Sequence, residues 1–259
     1  MRPLNKIILR RGLAVGLLAF CGQLLAAVEY QYTVLEKDTH DPRIFTQGFV
    51  LDEGWFYESS GHYGRSFLVR YPVDGESGAE QRLALPRDIF AEGITVIDER
   101  LYLLSWKAGK AWVLDKNNFS VLATHGYNGE GWGLTHNGEH LIMSDGTDIL
   151  RFYSIDDFAL QHTVKVRLDG EPVRNLNELE YRDGLVWANQ WQSNNIYVIN
   201  AESGKVEAIA DLEELQKASA ARAGESVLNG IAYDRKRDAF WITGKYWRHR
   251  YLLQFESPQ

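Results

Sequence analysis

Glu92 stands in an apolar frame, F-A-E-G-I-T (90–95), where a carboxylate loses its hydration unless the fold has a use for it. Four other positions share this context, each opening a short apolar run: Gln47 in T-Q-G-F, Trp132 in G-W-G-L, Glu178 in N-E-L-E and Asn229 in N-G-I-A. About 14 residues beyond each comes a second cluster: residues 59–61, Ser105-Trp106-Lys107, Ser144-Asp145, Asn189-Gln190-Trp191 and Thr243-Gly244-Lys245. A carboxylate, an ammonium, side-chain amides and tryptophans recurring at one interval form a set suited to holding a small polar ligand and moving protons on it.

That interval belongs to a hairpin. The segments at 46–61, 91–107, 131–146, 177–191 and 229–245 each give a polar or aromatic residue, an apolar strand, a turn rich in Asp, Asn, Gly or charge, and a second strand of alternating aromatics and aliphatics. A third strand follows each hairpin (F-L-V-R-Y-P-V, A-W-V-L-D-K, I-L-R-F-Y-S-I, N-I-Y-V-I-N-A, Y-L-L-Q-F-E), and most units add a fourth. Five units over roughly 230 residues give about 46 residues each, the size of one propeller blade. The fold class is therefore all-β, a five-bladed β-propeller.

The fifth unit ends after its third strand, and Y-Q-Y-T-V-L-E (30–36) is the donor expected to complete it, closing the ring without an open edge. One segment, around 211–223, is rich in helix formers and reads as a short helix inserted between the fourth and fifth units. In a propeller the first strands line the central channel and the second strands return to the same mouth. Gln47, Glu92, Asn177 or Glu178, Asn229 and Lys245 are thereby expected to meet among Trp106, Trp132 and Trp191. Each also has a structural reading: tryptophans as inter-blade packing, and Glu92 and Glu178 as acceptors for backbone amides of a neighbouring blade.

Residues 1–27 read as an export signal ahead of a single domain over 28–259. Arg2, Lys6, Arg10 and Arg11 precede an apolar stretch too short to span a bilayer comfortably, which ends in small residues; the Arg10-Arg11 pair also fits a twin-arginine signal, and Leu18-Ala19-Phe20-Cys21 faintly resembles a lipoprotein box, although Phe20 is bulky for the position before the modified cysteine. The expected location is the periplasm or the exterior, with no membrane span in the mature chain. Cys21, the sole cysteine, falls inside this signal, which excludes a disulfide framework, a thiolate nucleophile and cysteine-ligated zinc from the mature protein. Removing the segment takes four of 28 basic residues and none of the 35 acidic ones, leaving a formal charge near −11 that argues against nucleic acid as a partner. His136 and His140 have the spacing of helical zinc ligands, but T-H-N-G-E-H is a hairpin tip, where they are expected to face water.

A resemblance sharpens the functional reading. F-T-Q-G-F (45–49), Y-E-S-S-G (57–61), F-A-E-G-I-T (90–95), L-S-W-K (104–107), G-E-G-W-G-L-T (129–135), M-S-D-G-T (143–147), L-N-E-L-E-Y (176–181), A-N-Q-W (188–191), L-N-G-I-A-Y-D (228–234) and T-G-K-Y-W (243–247) occur in order. As a set, from about residue 40 to 255, they resemble the five-bladed glutaminyl-peptide cyclotransferases, the plant-type glutaminyl cyclases with bacterial relatives. The resemblance implies an enzyme that converts the N-terminal glutamine of peptides or proteins to pyroglutamate with loss of ammonia, without cofactor or catalytic metal. It also implies Glu92 as the essential carboxylate, and Phe45, Gln47, Phe90, Trp106, Trp132, Asn177, Trp191 and Lys245 as binding residues. A monomer is expected. Two other classes fit the residues alone: a calcium-dependent lactonase or esterase propeller using Glu92, Glu178, Asn229 and Asp145, and a non-catalytic exported binding propeller.

Overall fold

The computed structural model describes residues 27–75, 80–222 and 224–256. The expected leader therefore lies outside the described residues, except for Ala27, which packs against the layer between the third and fourth blades. The strands form five antiparallel blades in chain order: 46–84, 91–126, 134–165, 176–211 and 228–256. The fifth is completed by the N-terminal strand Gln31–Thr39, which pairs with His249–Glu256 in the register Gln31 to Glu256 and Thr39 to His249.

The N-terminal segment does more than close the ring. Before entering the fifth blade, Val28–Glu29 runs parallel to Val206–Asp211 at the outer edge of the fourth, so one continuous stretch ties two blades together.

Alternation along the strands puts one face of each blade against the next, and five apolar layers result, one per interface. Ile94, Leu103 and Leu68 lie between the first and second blades; Leu104, Leu134 and Met143 between the second and third. Ile142, Leu179 and Val186 fill the next gap, Trp187, Ile231 and Phe240 the fourth, and Phe49, Phe56 and Trp241 close the circle between the fifth and first. Each fully buried aromatic or aliphatic side chain contributes about 1.5–3 kcal/mol. The layers thus supply the stability that disulfides do not.

The inserted helix is shorter than expected, Glu213–Ser219. Glu213 and Glu214 in its first turn and Lys217 in its last suit the helix dipole. Leu212 and Leu215 bury into the layer between the fourth and fifth blades. Gln216 accepts the indole N–H of Trp247 at 3.0 Å, and the Ser219 hydroxyl meets that of Tyr251 at 2.8 Å. The hairpin bearing His136 and His140 forms as expected, but the two rings are half-buried. His140 lies 5.4 Å from the His162 ring, edge-on, and against Phe152, because the third and fourth strands of its blade curl beside it.

Candidate active site

A repeated backbone irregularity aims side chains into the channel mouth. In the second blade the first strand pairs Ala91 with Ser105 and Ile94 with Leu103, leaving Glu92-Gly93 outside the regular ladder. The same shift isolates Asn177-Glu178 in the fourth blade, Asn229-Gly230 in the fifth and Gln47 in the first. Bulges of this kind re-aim a side chain while the strand continues.

This register corrects the expected ring. The counterpart of Gln47, Glu92 and Asn229 in the fourth blade is Asn177, and Glu178 occupies the place that is glycine elsewhere. Those glycines mark close approach: a Cβ on Gly93 would lie 2.5 Å from the backbone nitrogen of Leu134, and one on Gly133 2.0 Å from the carbonyl of Asn177. Glu178 instead turns across the channel, its carboxylate accepting the backbone N–H of Ile231 at 2.9 Å and of Phe49 at 3.3 Å. It has the structural role that was open to both acids.

Glu92 has no such partner. Its side chain is 4 % exposed and makes no hydrogen bond or ion pair among the described residues, although its backbone carbonyl is fixed by the Ser59 hydroxyl at 2.5 Å. Burial drives its pKa well above the carboxylate range; Lys245 pulls against that rise and Glu130 adds to it. Lys245 is equally buried, and desolvation lowers its ammonium to about 8 against the raising influence of Glu92. The two groups sense one another without forming an ion pair.

Aromatic rings connect the remaining candidates. The Lys245 ammonium sits 4.8 Å from the centre of the Phe45 ring, which meets Phe90 edge-on at 6.4 Å; Phe90 meets Trp106 edge-on at 5.4 Å. Trp106 and Trp132 are joined through Glu130, whose Oε2 accepts both indole N–H groups, at 2.7 and 2.9 Å, while Lys107 lies 3.5 Å from Oε1. Trp132 packs edge-on against Trp191 at 5.8 Å and against Gly146, where a Cβ would come within 2.7 Å of the indole. The Asn177 carbonyl accepts the Ser144 hydroxyl at 2.6 Å, and the Ser144 carbonyl accepts the Trp132 N–H at 2.9 Å. Gln47 buries its Oε1 without a partner, as Asn229 does its Oδ1; the Asn229 amide N–H₂ is committed to the Thr46 carbonyl at 2.9 Å. All nine candidates therefore lie around one mouth.

Several neighbours were not singled out by the sequence. Glu130 fixes two tryptophans, His62 lies 4.4 Å from the Phe45 ring and hydrogen-bonds the Tyr246 hydroxyl at 2.7 Å, and Tyr63 meets Phe90 edge-on at 5.4 Å. Of these, only Glu130, two residues before Trp132, had a sequence signal. Of the other members of the calcium reading, Asn229 shares the ring with Glu92, but Glu178 is committed to backbone amides and Asp145 to Arg151 at 2.8 Å and to Thr147.

Comparison with known proteins agrees with this architecture. The chain is 35 % identical over 231 residues to a glutaminyl-peptide cyclotransferase of Arabidopsis thaliana, covering 86 % of this chain and 71 % of that one. It is also similar to the crystal structure of Myxococcus xanthus glutaminyl cyclase, with 33 % identity and a TM-score of 0.84 over 90 % of this chain and all of that one. The family model for glutamine cyclotransferase matches residues 14–255, and the chain belongs to that family.

Proposed function

We propose that this protein is a glutaminyl-peptide cyclotransferase that converts the N-terminal glutamine of peptides or proteins to pyroglutamate and releases ammonia, with Glu92 as the proton-transfer group. The observation that carries the reading is Glu92 itself: a buried carboxylate without a hydrogen-bond partner, aimed by a bulge into an aromatic mouth that also holds Lys245.

The chemistry follows from that placement. The α-amine nitrogen attacks the side-chain amide carbon, forming the ring C–N bond; the tetrahedral intermediate then expels the amide nitrogen. Glu92 takes the proton that the amine must lose and passes it to the departing nitrogen, which leaves as ammonia. Such proton transfer is worth about 10²- to 10⁴-fold in rate. An ordinary carboxylate is a poor base towards an α-ammonium of pKa about 7.7–8.0, and burial narrows that mismatch. Lys245, still largely protonated near neutrality, is placed to stabilise charge developing on the amide oxygen, with the Asn177 and Gln47 amides as further donors. Trp106, Trp132 and Trp191 form walls suited to folding the glutamine side chain back onto its own amine, which lowers the barrier by positioning.

No cofactor is needed for these steps. The basic-then-apolar start of the chain favours export, so exported peptides and proteins with N-terminal glutamine are the proposed substrates. The test is mass spectrometry of a short peptide with N-terminal glutamine incubated with the protein and with Glu92→Gln. Loss of one ammonia with wild type alone is expected; an unchanged peptide with folded wild type overturns the reading.

A further inference from the structure

Beside the mouth, cations gather around one phenol. The hydroxyl of Tyr246 lies 3.5 Å from Nη2 of Arg65, and the guanidinium carbon of Arg222 lies 3.9 Å from the centre of its ring. Both arginines are exposed, whereas Tyr246 is buried. The Tyr246 ring adjoins that of Phe45 at 5.1 Å, and the Lys245 ammonium lies 4.8 Å from the centre of the same Phe45 ring. Arg65 and Arg222 therefore stand one ring beyond the proposed reaction centre.

Their charge is incompletely matched. Arg222 reaches Glu225 at 3.7 Å, but Arg65 has no carboxylate partner among the described residues. In a chain of net charge −7, two guanidiniums gathered on one phenol with a single paired carboxylate run against the average. Like charges held together cost free energy unless an anion joins them. The imidazole of His62 registers the same field: burial lowers its pKa first and Arg65 lowers it further, Glu225 opposes, and Lys245 and Arg222 add smaller lowering contributions.

The opposite wall has no such surplus. Its acid, Glu130, is occupied by two indole N–H groups and Lys107.

Resting on the cyclotransferase reading, we propose that the Arg65–Arg222 edge is a subsite for a carboxylate carried just downstream of the N-terminal glutamine. An extended chain advances about 3.3–3.6 Å per residue, so a group at the second or third position spans the distance from Phe45 past Tyr246. Guanidinium forks suit a carboxylate, and two exposed contacts favour it by about three- to tenfold in dilute salt. The carboxylate comes either from an Asp or Glu side chain or from the C-terminus of a very short peptide.

Affinity and turnover separate this inference from the reading it rests on. Isothermal titration of the Glu92→Gln protein with C-terminally amidated Gln-Asp-Ala-Ala, Gln-Ala-Ala-Ala and Gln-Lys-Ala-Ala measures the edge without requiring turnover. Tightest binding of the Asp peptide, weakest of the Lys peptide, and a preference that collapses in high salt and inverts in an added Arg65→Glu change are expected. A free-acid Gln-Ala dipeptide binding better than its amide identifies the C-terminal source; equal binding of the two alongside Asp selectivity identifies the side-chain source. Equal affinities across the three tetrapeptides together with equal binding of the dipeptide and its amide, or a preference that survives Arg65→Glu, overturn the subsite. Turnover of amidated Gln-Ala-Ala-Ala by wild type tests the cyclotransferase reading alone.

Discussion

The His40 imidazole and the Glu58 carboxylate meet at 2.9 Å with side chains 1 % and 0 % exposed. The second ring nitrogen of His40 faces the Trp247 carbonyl, also at 2.9 Å, so with Glu58 ionised both nitrogens point at acceptors, an arrangement that favours the imidazolium. Glu58 additionally accepts the Thr46 hydroxyl at 2.5 Å and the Tyr71 hydroxyl at 2.9 Å. One buried carboxylate thus ties the strand bearing Gln47, just after Phe45, to the turn bearing Lys245.

Removing one member leaves an uncompensated buried charge, so His40→Gln is expected to cost about 3–5 kcal/mol in urea unfolding. The loss depends on pH. Burial alone lowers the His40 pKa, but the Glu58 charge, its hydrogen bond and the Trp247 carbonyl together outweigh it and raise the group, so its contribution is complete below 6.5 and fades as pH climbs through the raised value. Burial alone raises the Glu58 pKa, but His40 and the hydroxyl donors outweigh it and lower the group, so its contribution is complete above 4.5 and fades as pH falls through the lowered value. The gap between wild type and His40→Gln should be widest between pH 4.5 and 6.5 and narrow on either side. A gap that stays constant from pH 4 to 9 would remove the ion pair.

Glu92 titrates in the opposite sense from Glu58. Burial raises it, Lys245 restrains the rise and Glu130 adds to it, so ionisation is easier in the unfolded chain and costs stability increasingly as pH rises above about 4.5. Glu92→Gln should therefore match wild type in Tm near pH 4 and exceed it near pH 7 while abolishing turnover. A thermal scan across that range checks both. A variant less stable than wild type at pH 7 would mean that the carboxylate is structural, as Glu178 is.

That contrast shows what the sequence could and could not carry. The blades were legible because strand, turn and strand recur at one interval, and because the chain ends one strand short with a matching segment at its start. The mouth was legible as well, since equivalent positions of a propeller must converge. The bulge register was not: a shift of one residue decides whether Asn177 or Glu178 enters the ring, and only the pairing of Leu176 with Gln190 and Leu179 with Ala188 fixes it. His40 and Glu58 lay hidden for another reason. Their partners Trp247 and Thr46 are 207 and 12 residues away, and no local pattern records such pairings.

Glu130 supports two walls of the mouth at once. Burial alone would raise its pKa, but the indole N–H groups of Trp132 and Trp106 and then Lys107 hold it below the ordinary value, so it is charged at neutral pH. Glu130→Ala frees both indoles and should raise KM by about tenfold, with a smaller loss in kcat, because the lost function is positioning. Glu130→Gln keeps one acceptor oxygen and should fall between. Since the Glu130 charge also raises the Glu92 pKa, either change should move the acidic limb of the kcat profile to lower pH. Steady-state kinetics from pH 5 to 9 read both effects, and an unchanged KM would show that the tryptophans hold themselves.

Lys245 sets the other limb. Desolvation lowers its ammonium to about 8 against the pull of Glu92, so the group begins to lose its proton just where the substrate α-amine, of pKa about 7.7–8.0, becomes free to attack. If the ammonium stabilises the developing oxyanion, activity rises as Glu92 and the substrate amine lose their protons and falls as Lys245 deprotonates, giving a bell-shaped profile. An arginine stays charged throughout, so Lys245→Arg should remove the alkaline limb even where misplacement of the longer head lowers kcat by about 10- to 100-fold. Lys245→Met should lose the limb together with most of the rate. An alkaline limb that persists unchanged in Lys245→Arg would assign it to another group and leave the oxyanion to the Asn177 and Gln47 amides.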